Sequence, residues 1–259
     1  MLLRVVGLHS DVLVATSRVW QTTCTIVRSG EECFVVDSPV FPDELDVLPA
    51  VLEHAGFAFT GLLATHADWD HLLGRLAFGT SAALGVAETT AARLAAEPGA
   101  AARELRAFDD DFYLRRPQPL SLGQVQALPV PGHCAIGETE IELHPADGHT
   151  ADGMAAWIAW ARVLVAGDYL SPVEIPMISP GGSRDAYLAT LRRLTPLVQQ
   201  ADHVVPGHGD VLDRVRAIAI LREDVAYLES LPDAELPIAR RSPRQRAIHA
   251  DNVARVSGS

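Results

Sequence analysis

Through its first 40 positions the chain sets short β-branched runs between turn residues. Runs at 2–6, 12–15, 22–27 and 33–36, punctuated by Gly, Ser and Asp, predict four strands, the last closed by Asp37-Ser-Pro. Helical spacing follows over 42–54 and stops at Gly56. Residues 61–65 read as a short buried strand running into a dense polar cluster, His66-Ala-Asp-Trp-Asp-His71. A further strand is expected at 81–86, then an Ala- and Arg-rich helical stretch at 88–114, broken by Pro98-Gly99. Strand patterns return over 118–148, where Ile141 and Leu143 share a face. Strands at 155–160 and 163–166, joined by a tight Ala161-Arg162 turn, precede a helix at 184–197, a strand at 203–205 and a helix at 211–231. Strands followed by helices, twice over, predict an α+β protein built as a four-layer αββα sandwich. One domain over 1–231 is expected, with a helical insertion at about 88–116 between the two halves; from 232 to 259 the tail is Pro-, Arg- and Ser-rich, and its last 20 or so residues are expected to be loosely held.

Composition narrows the chemistry. The 259 residues are 48% hydrophobic and 21% charged, which excludes a disordered or low-complexity chain. A net charge of -12 argues against nucleic acid as a partner. All 21 basic residues are Arg, so a catalytic lysine or a lysine-dependent phosphate loop is ruled out. Cys24, Cys33 and Cys134 form no C-x-x-C pair and read as free thiols. The opening residues lack a signal-peptide pattern, and no apolar run reaches the roughly 18 residues of a membrane span. A cytoplasmic location and a small-molecule substrate are expected, with no membrane partner; the oligomeric state is not legible.

Ten histidines are present, and their placement carries the chemistry. His66, Asp68, Asp70 and His71 crowd the end of one strand. In extended chain, alternate residues point the same way, so His66 and Asp68 converge, while Asp70 and His71 turn toward a neighbouring point. His149, Asp168 and His208 each follow a strand through a Gly-containing turn. Such a set suits two divalent ions sharing one carboxylate, with a hydroxide between them. Alternatively, Asp68 caps the helix that follows it.

Thr65-His-Ala-Asp-Trp-Asp-His71, Asp147-Gly-His-Thr150, Ala166-Gly-Asp168 and Pro206-Gly-His-Gly209 resemble, in order, the motifs of the metallo-β-lactamase-fold superfamily. The resemblance implies an αββα fold with metals at one edge between the sheets. It implies that His66, Asp68 and His149 hold one ion, that Asp70, His71 and His208 hold the other, and that Asp168 bridges. It also implies that Asp70 is catalytic, orienting the hydroxide that attacks. Typical members have His where this chain has Asp68. The extra carboxylate removes the net positive charge left on two ions, two carboxylates and a hydroxide, so each ion is a weaker Lewis acid. Zinc is the first expectation for the pair of ions, and Asp68 opens the site to manganese or iron.

The resemblance points to hydrolysis of a small ester or thioester, of the glyoxalase II-like kind. A mononuclear iron oxygenase similar to the persulfide dioxygenases, using His66, His149 and Asp168, is the rival, and a phosphodiesterase is a third. Tyr169, Ser171 and Glu174 are candidates to line the pocket, and residues 100–116 to cover it. His9, His54, His144, His203 and His249 read as structural or surface residues, His133 as a turn residue, and Trp157 and Trp160 as core.

Overall fold

The structure, a computed structural model, describes residues 3–258; Leu2, expected to open the first strand, lies outside the described residues, as do Met1 and Ser259. The first sheet runs in chain order: β1 (Arg4–His9), β2 (Val12–Thr16), β3 (Thr23–Ser29), β4 (Glu32–Asp37), β5 (Phe59–Leu63), β6 (Leu84–Ala87) and β7 (Val125–Leu128). Strands β1 to β4 form an antiparallel meander, and β4 to β7 are parallel. Parallel neighbours need crossovers, and helices supply them. Helix α1 (Pro42–Ala55) links β4 to β5, α2 (Gly74–Phe78) links β5 to β6, and α3 (Glu88–Ala96) with α4 (Ala100–Asp111) links β6 to β7. The helical insertion therefore lies inside the first sheet, not between the two halves as its sequence position suggested.

The second sheet contains β8 (Gly132–Ile136), β9 (Thr139–Pro145), β10 (Met154–Ile158), β11 (Val163–Gly167), β12 (His203–Pro206) and β13 (Leu212–Asp213), in the order β13-β12-β11-β10-β9-β8. Helices α5 (Arg184–Gln200), α6 (Arg214–Ser230) and α7 (Pro243–Ser257) cover its outer face. The helix expected from 211 begins later because Leu212–Asp213 first pairs with β12, and Asp213 then caps α6 by accepting from Arg216 N.

Strict alternation divides the core. On β11, Val163 and Val165 face the inter-sheet core with Val14, Val36 and Leu143, while Leu164 and Ala166 pack outward with Leu191 of α5 and Ile220 of α6. On β4, Val36 points inward and Val35 outward to Leu48 of α1. Strands buried on both faces read as unbroken apolar runs, as these do. The result is the four-layer αββα arrangement.

Residues 240–258, expected to be loosely held, are tied to the body of the fold. Ser242 caps α7 by accepting from Gln245 N, and Pro243 suits the first turn. Three fully buried side chains then tie this region to the loop after β11. Gln245 Oε1 accepts from Ile175 N at 2.7 Å, Asn252 Oδ1 accepts from Ile178 N at 2.9 Å, and Arg240 donates to Glu174 O at 2.8 Å. A Pro- and Arg-rich composition suggests a loosely held tail, but the buried partners of these polar groups lie far away in sequence.

Replacing Asn252 with Ala leaves the Ile178 N–H buried without an acceptor, which costs about 1–3 kcal/mol. At about 2–4 °C per kcal/mol for a domain of this size, a clear fall in melting temperature is expected. An unchanged melting temperature would show that the tail contributes nothing to the fold.

Candidate metal centre

The parallel pairs β4–β5 and β11–β12 end at the same edge of the sandwich, and the loops leaving that edge carry the polar clusters. His66 to His71 follow β5, His149 follows β9, Asp168 follows β11 and His208 follows β12. Backbone bonds stitch the sheets together here: Met154 N donates to Thr65 O at 2.7 Å, and Thr23 N to Gly207 O at 2.8 Å. Close approach explains two of the glycines. A Cβ at Gly207 would lie 2.0 Å from Asp168 Oδ1, and Gly148, at φ +120°, passes against the Tyr187 backbone.

All seven sequence-derived candidates meet at this edge. His149 Nε2 is 3.4 Å from Asp68 Oδ2 and 3.3 Å from Asp168 Oδ2. His66 Nε2 is 3.6 Å from Asp68 Oδ2 and 3.8 Å from Asp168 Oδ2. Across Asp168, His71 Nε2 lies 3.2 Å from Oδ1 and His208 Nε2 3.4 Å from Oδ2; Asp70 Oδ2 is 3.6 Å from His208 Nε2. Two three-residue groups, His66–Asp68–His149 and Asp70–His71–His208, have ligand atoms close enough to share an ion each, and Asp168 stands between them. The Asp68 carboxylate makes no capping hydrogen bond.

The donor set fits divalent ions. Nε2 of His66, His71 and His149 and Oδ1 of Asp168 are buried with no hydrogen-bond partner. Each imidazole is instead fixed through Nδ1: His66 donates to Thr65 Oγ1 at 3.0 Å, His71 to Asp37 Oδ2 at 3.0 Å, His149 to Met177 O at 2.8 Å and His208 to Trp20 O at 3.2 Å. With a proton kept on Nδ1, loss of the second proton leaves each Nε2 lone pair facing inward, the tautomer a cation requires.

Asp37 is the residue that sequence reasoning passed over. It was read as a strand-closing turn, yet its buried carboxylate receives Thr65 N, Thr65 Oγ1 and His71 Nδ1. With its proton given to Asp37, the Thr65 hydroxyl is free to accept from His66. The available signal was an Asp at the end of a strand adjacent to the one that delivers His66. Of the pocket candidates, only Glu174 lines the main cleft. The Tyr169 hydroxyl is turned inward to accept from His149 N, and Ser171 Oγ donates to His208 O.

Burial opposes charge on Asp68, Asp168, His149 and His208, and the facing partners overcome it. Asp68 and Asp168 stay well below the usual carboxylate range, held by His149 and His66 for the first and by His208 and His71 for the second. His149 and His208 rise to about 9 despite burial, because Asp68 and Asp168 face them. Beside this centre lies a cleft of about 360 Å³, walled by Trp20, Trp69 and Met177 on one side and by Glu97 and Glu104 of the insertion on another. Residues 100–116 thus contribute to the wall through Glu104, while Leu105 and Phe108 of α4 are buried and Phe108 meets Trp20 edge-on and Trp69 at a tilt.

Packed sheets that deliver imidazoles and carboxylates to one edge define a metallo-hydrolase scaffold. Residues 17–208 match the family model described as the metallo-beta-lactamase superfamily, and the chain belongs to that superfamily of metal-dependent hydrolases. No curated protein matches it. Among solved structures it is similar to a metallo-beta-lactamase from Pontibacter korlensis (18% identity, TM-score 0.67, covering 88% of this chain and 99% of that one). It is also similar to a metallo-beta-lactamase family protein from Thermus thermophilus (21%, TM-score 0.65, covering 87% and 83%) and to the metallo-beta-lactamase DIM-1 exposed to ceftazidime (17%, TM-score 0.64, covering 89% and 98%). At these identities the likeness is one of fold. No helix among the described residues is long and apolar enough to cross a membrane.

An imidazole whose folded pKa is raised to about 9 stabilises the metal-free fold below about 6.5, and that contribution is lost as pH rises through 9. Metal-stripped protein is therefore expected to melt at a lower temperature at pH 9 than at pH 6.5. Added zinc should raise the melting temperature more at pH 9, where fewer protons have to be displaced. Equal increments at the two pH values would contradict this electrostatic picture.

Proposed function

We propose that the chain is a dinuclear metallo-hydrolase of small carboxylic esters or thioesters, with His66, Asp68 and His149 holding one ion, Asp70, His71 and His208 the other, and Asp168 bridging. The supporting observation is the set of buried, unpartnered Nε2 atoms, each oriented through an Nδ1 bond, that face Asp168. Zinc is the first choice for both ions, and the Asp68 oxygen admits manganese or iron. When bound there, such ions supply an acidified water and polarise the scissile carbonyl.

The chain's own groups do the rest. Asp70, with Oδ2 at the junction of His71 and His208, orients the attacking water and takes its proton. Trp20, Trp69 and Met177 offer an apolar wall for an acyl group, and the cleft's volume limits it to a small one. Glu97, Glu104 and Glu174 line the same cleft, which disfavours a polyanionic phosphodiester such as nucleic acid. The completeness of the Asp70–His71–His208 group favours two ions over a mononuclear iron oxygenase using His66, His149 and Asp168. The glyoxalase II-like subclass remains the preferred one within this reading.

Metal analysis of purified protein is expected to give two ions per chain, and of Asp68→Ala only one. Two tightly held ions in the variant would remove Asp68 from the ligand set. The loaded enzyme, offered thioesters, esters, lactones and phosphodiesters, should hydrolyse carboxylic substrates without oxygen uptake. Asp70→Ala should lower kcat by about 10²–10⁴-fold, the usual weight of a positioned proton acceptor. Oxygen consumption by iron-loaded protein would favour the oxygenase instead.

A further inference from the structure

Asp68 splits its two oxygens. Oδ2 faces His66 and His149, whereas Oδ1 lies 2.8 Å from Nη2 of Arg93, on α3 of the helical insertion. The same guanidinium donates through Nη1 to Asp152 Oδ1 at 2.8 Å. Asp152 is buried, and its other oxygen accepts from Ala67 N at 2.9 Å, in the residue between His66 and Asp68. The connections close a ring, from the Ala67–Asp68 backbone through Asp152 and Arg93 back to the Asp68 side chain. A planar guanidinium held at both ends has little freedom, so it fixes the rotation of the carboxylate it grips.

We propose that Arg93 is a positioning residue matched to Asp68: it turns a single Asp68 oxygen toward the first metal position and offsets the negative charge that Asp brings where relatives carry a neutral imidazole. This rests on the dinuclear reading above. One cation serves two carboxylates, so removing it frees Asp68 to rotate and leaves Asp152 buried and unpaired. A purely structural alternative has Arg93 present only to neutralise Asp152; it predicts no coupling between Arg93 and the identity of residue 68.

The test is zinc binding, competed against a chromophoric chelator, by wild type, Arg93→Met, Arg93→Lys, Asp68→His and the Asp68→His/Arg93→Met double variant. Arg93→Met is expected to weaken one of the two ions by about 10–100-fold, the usual effect of losing an outer partner of a ligand, while the other keeps its affinity. Arg93→Lys, which keeps the charge beside Asp152, should recover part of the loss and guards against a Met variant that folds poorly. In the Asp68→His background the sign should reverse: with imidazole at 68 the guanidinium only repels the ion, so the double variant binds zinc more tightly than Asp68→His alone. Wild-type affinity in Arg93→Met, or additive effects in the double variant, would overturn the proposal and leave the dinuclear reading intact. Wild-type protein that takes up no zinc would overturn both, and is told apart because the unaltered chain itself fails.

Discussion

A buried carboxylate has to be surrounded by donors, and at Asp37 the donors come from the segments that carry the first two histidines of the centre. Thr65 N and Thr65 Oγ1 close over it from the end of β5, and His71 Nδ1 reaches it from the short 3-10 turn beyond. Asp37 itself sits at φ +59°, a left-handed conformation that costs a non-glycine residue about 1–2 kcal/mol. Three hydrogen bonds to an ionised group, each worth about 1.5–3 kcal/mol, more than offset this strain. Through Thr65 and His71 one carboxylate thereby sets the tautomers of two imidazoles, and the rest of the site is arranged around those lone pairs.

The second constraint is electrostatic. Asp68, Asp70 and Asp168 crowd one sheet edge, and burial penalises the charge of Asp68 and Asp168. Imidazoles supply countercharge when protonated, and metal ions supply more of it without needing the protons. The same edge that is tolerable to the fold is therefore avid for cations. At Asp68 a further carboxylate tips the local balance negative, and Arg93 pairs with it there.

The C-terminal region ties down the loop after β11. That loop supplies Met177 O, which holds His149, and it lines the cleft through Glu174. Arg240, Gln245 and Asn252 satisfy its backbone polar groups at 174, 175 and 178. Arg244 extends to Glu174 and lies over the Trp20 ring, so α7 also borders the cleft beside the centre. A loop without regular structure needs such partners, because buried amides and carbonyls must be paired.

Much of this molecule was legible in its sequence. β-branched runs in β3 and β4, an apolar run in β11 and apolar alternation in β9 predicted strands, because these patterns reflect local backbone geometry. The ligand candidates were visible because each follows a strand within a few residues, and chain order preserves that relation. Asp37, Asp152 and Arg93 gave no comparable sign: each acts on a residue distant in sequence, and a lone Asp or Arg resembles any surface charge until its partner is placed. The same holds for Gln245 and Asn252, polar residues in a polar tail. Local pattern thus determined the elements and the ligand types, since both depend on neighbouring residues. Only the tertiary structure decided which nitrogen of each imidazole faces inward, which oxygen of Asp68 does, and whether the tail is part of the fold, because hydrogen bonds between distant segments exist only once the sheets have packed.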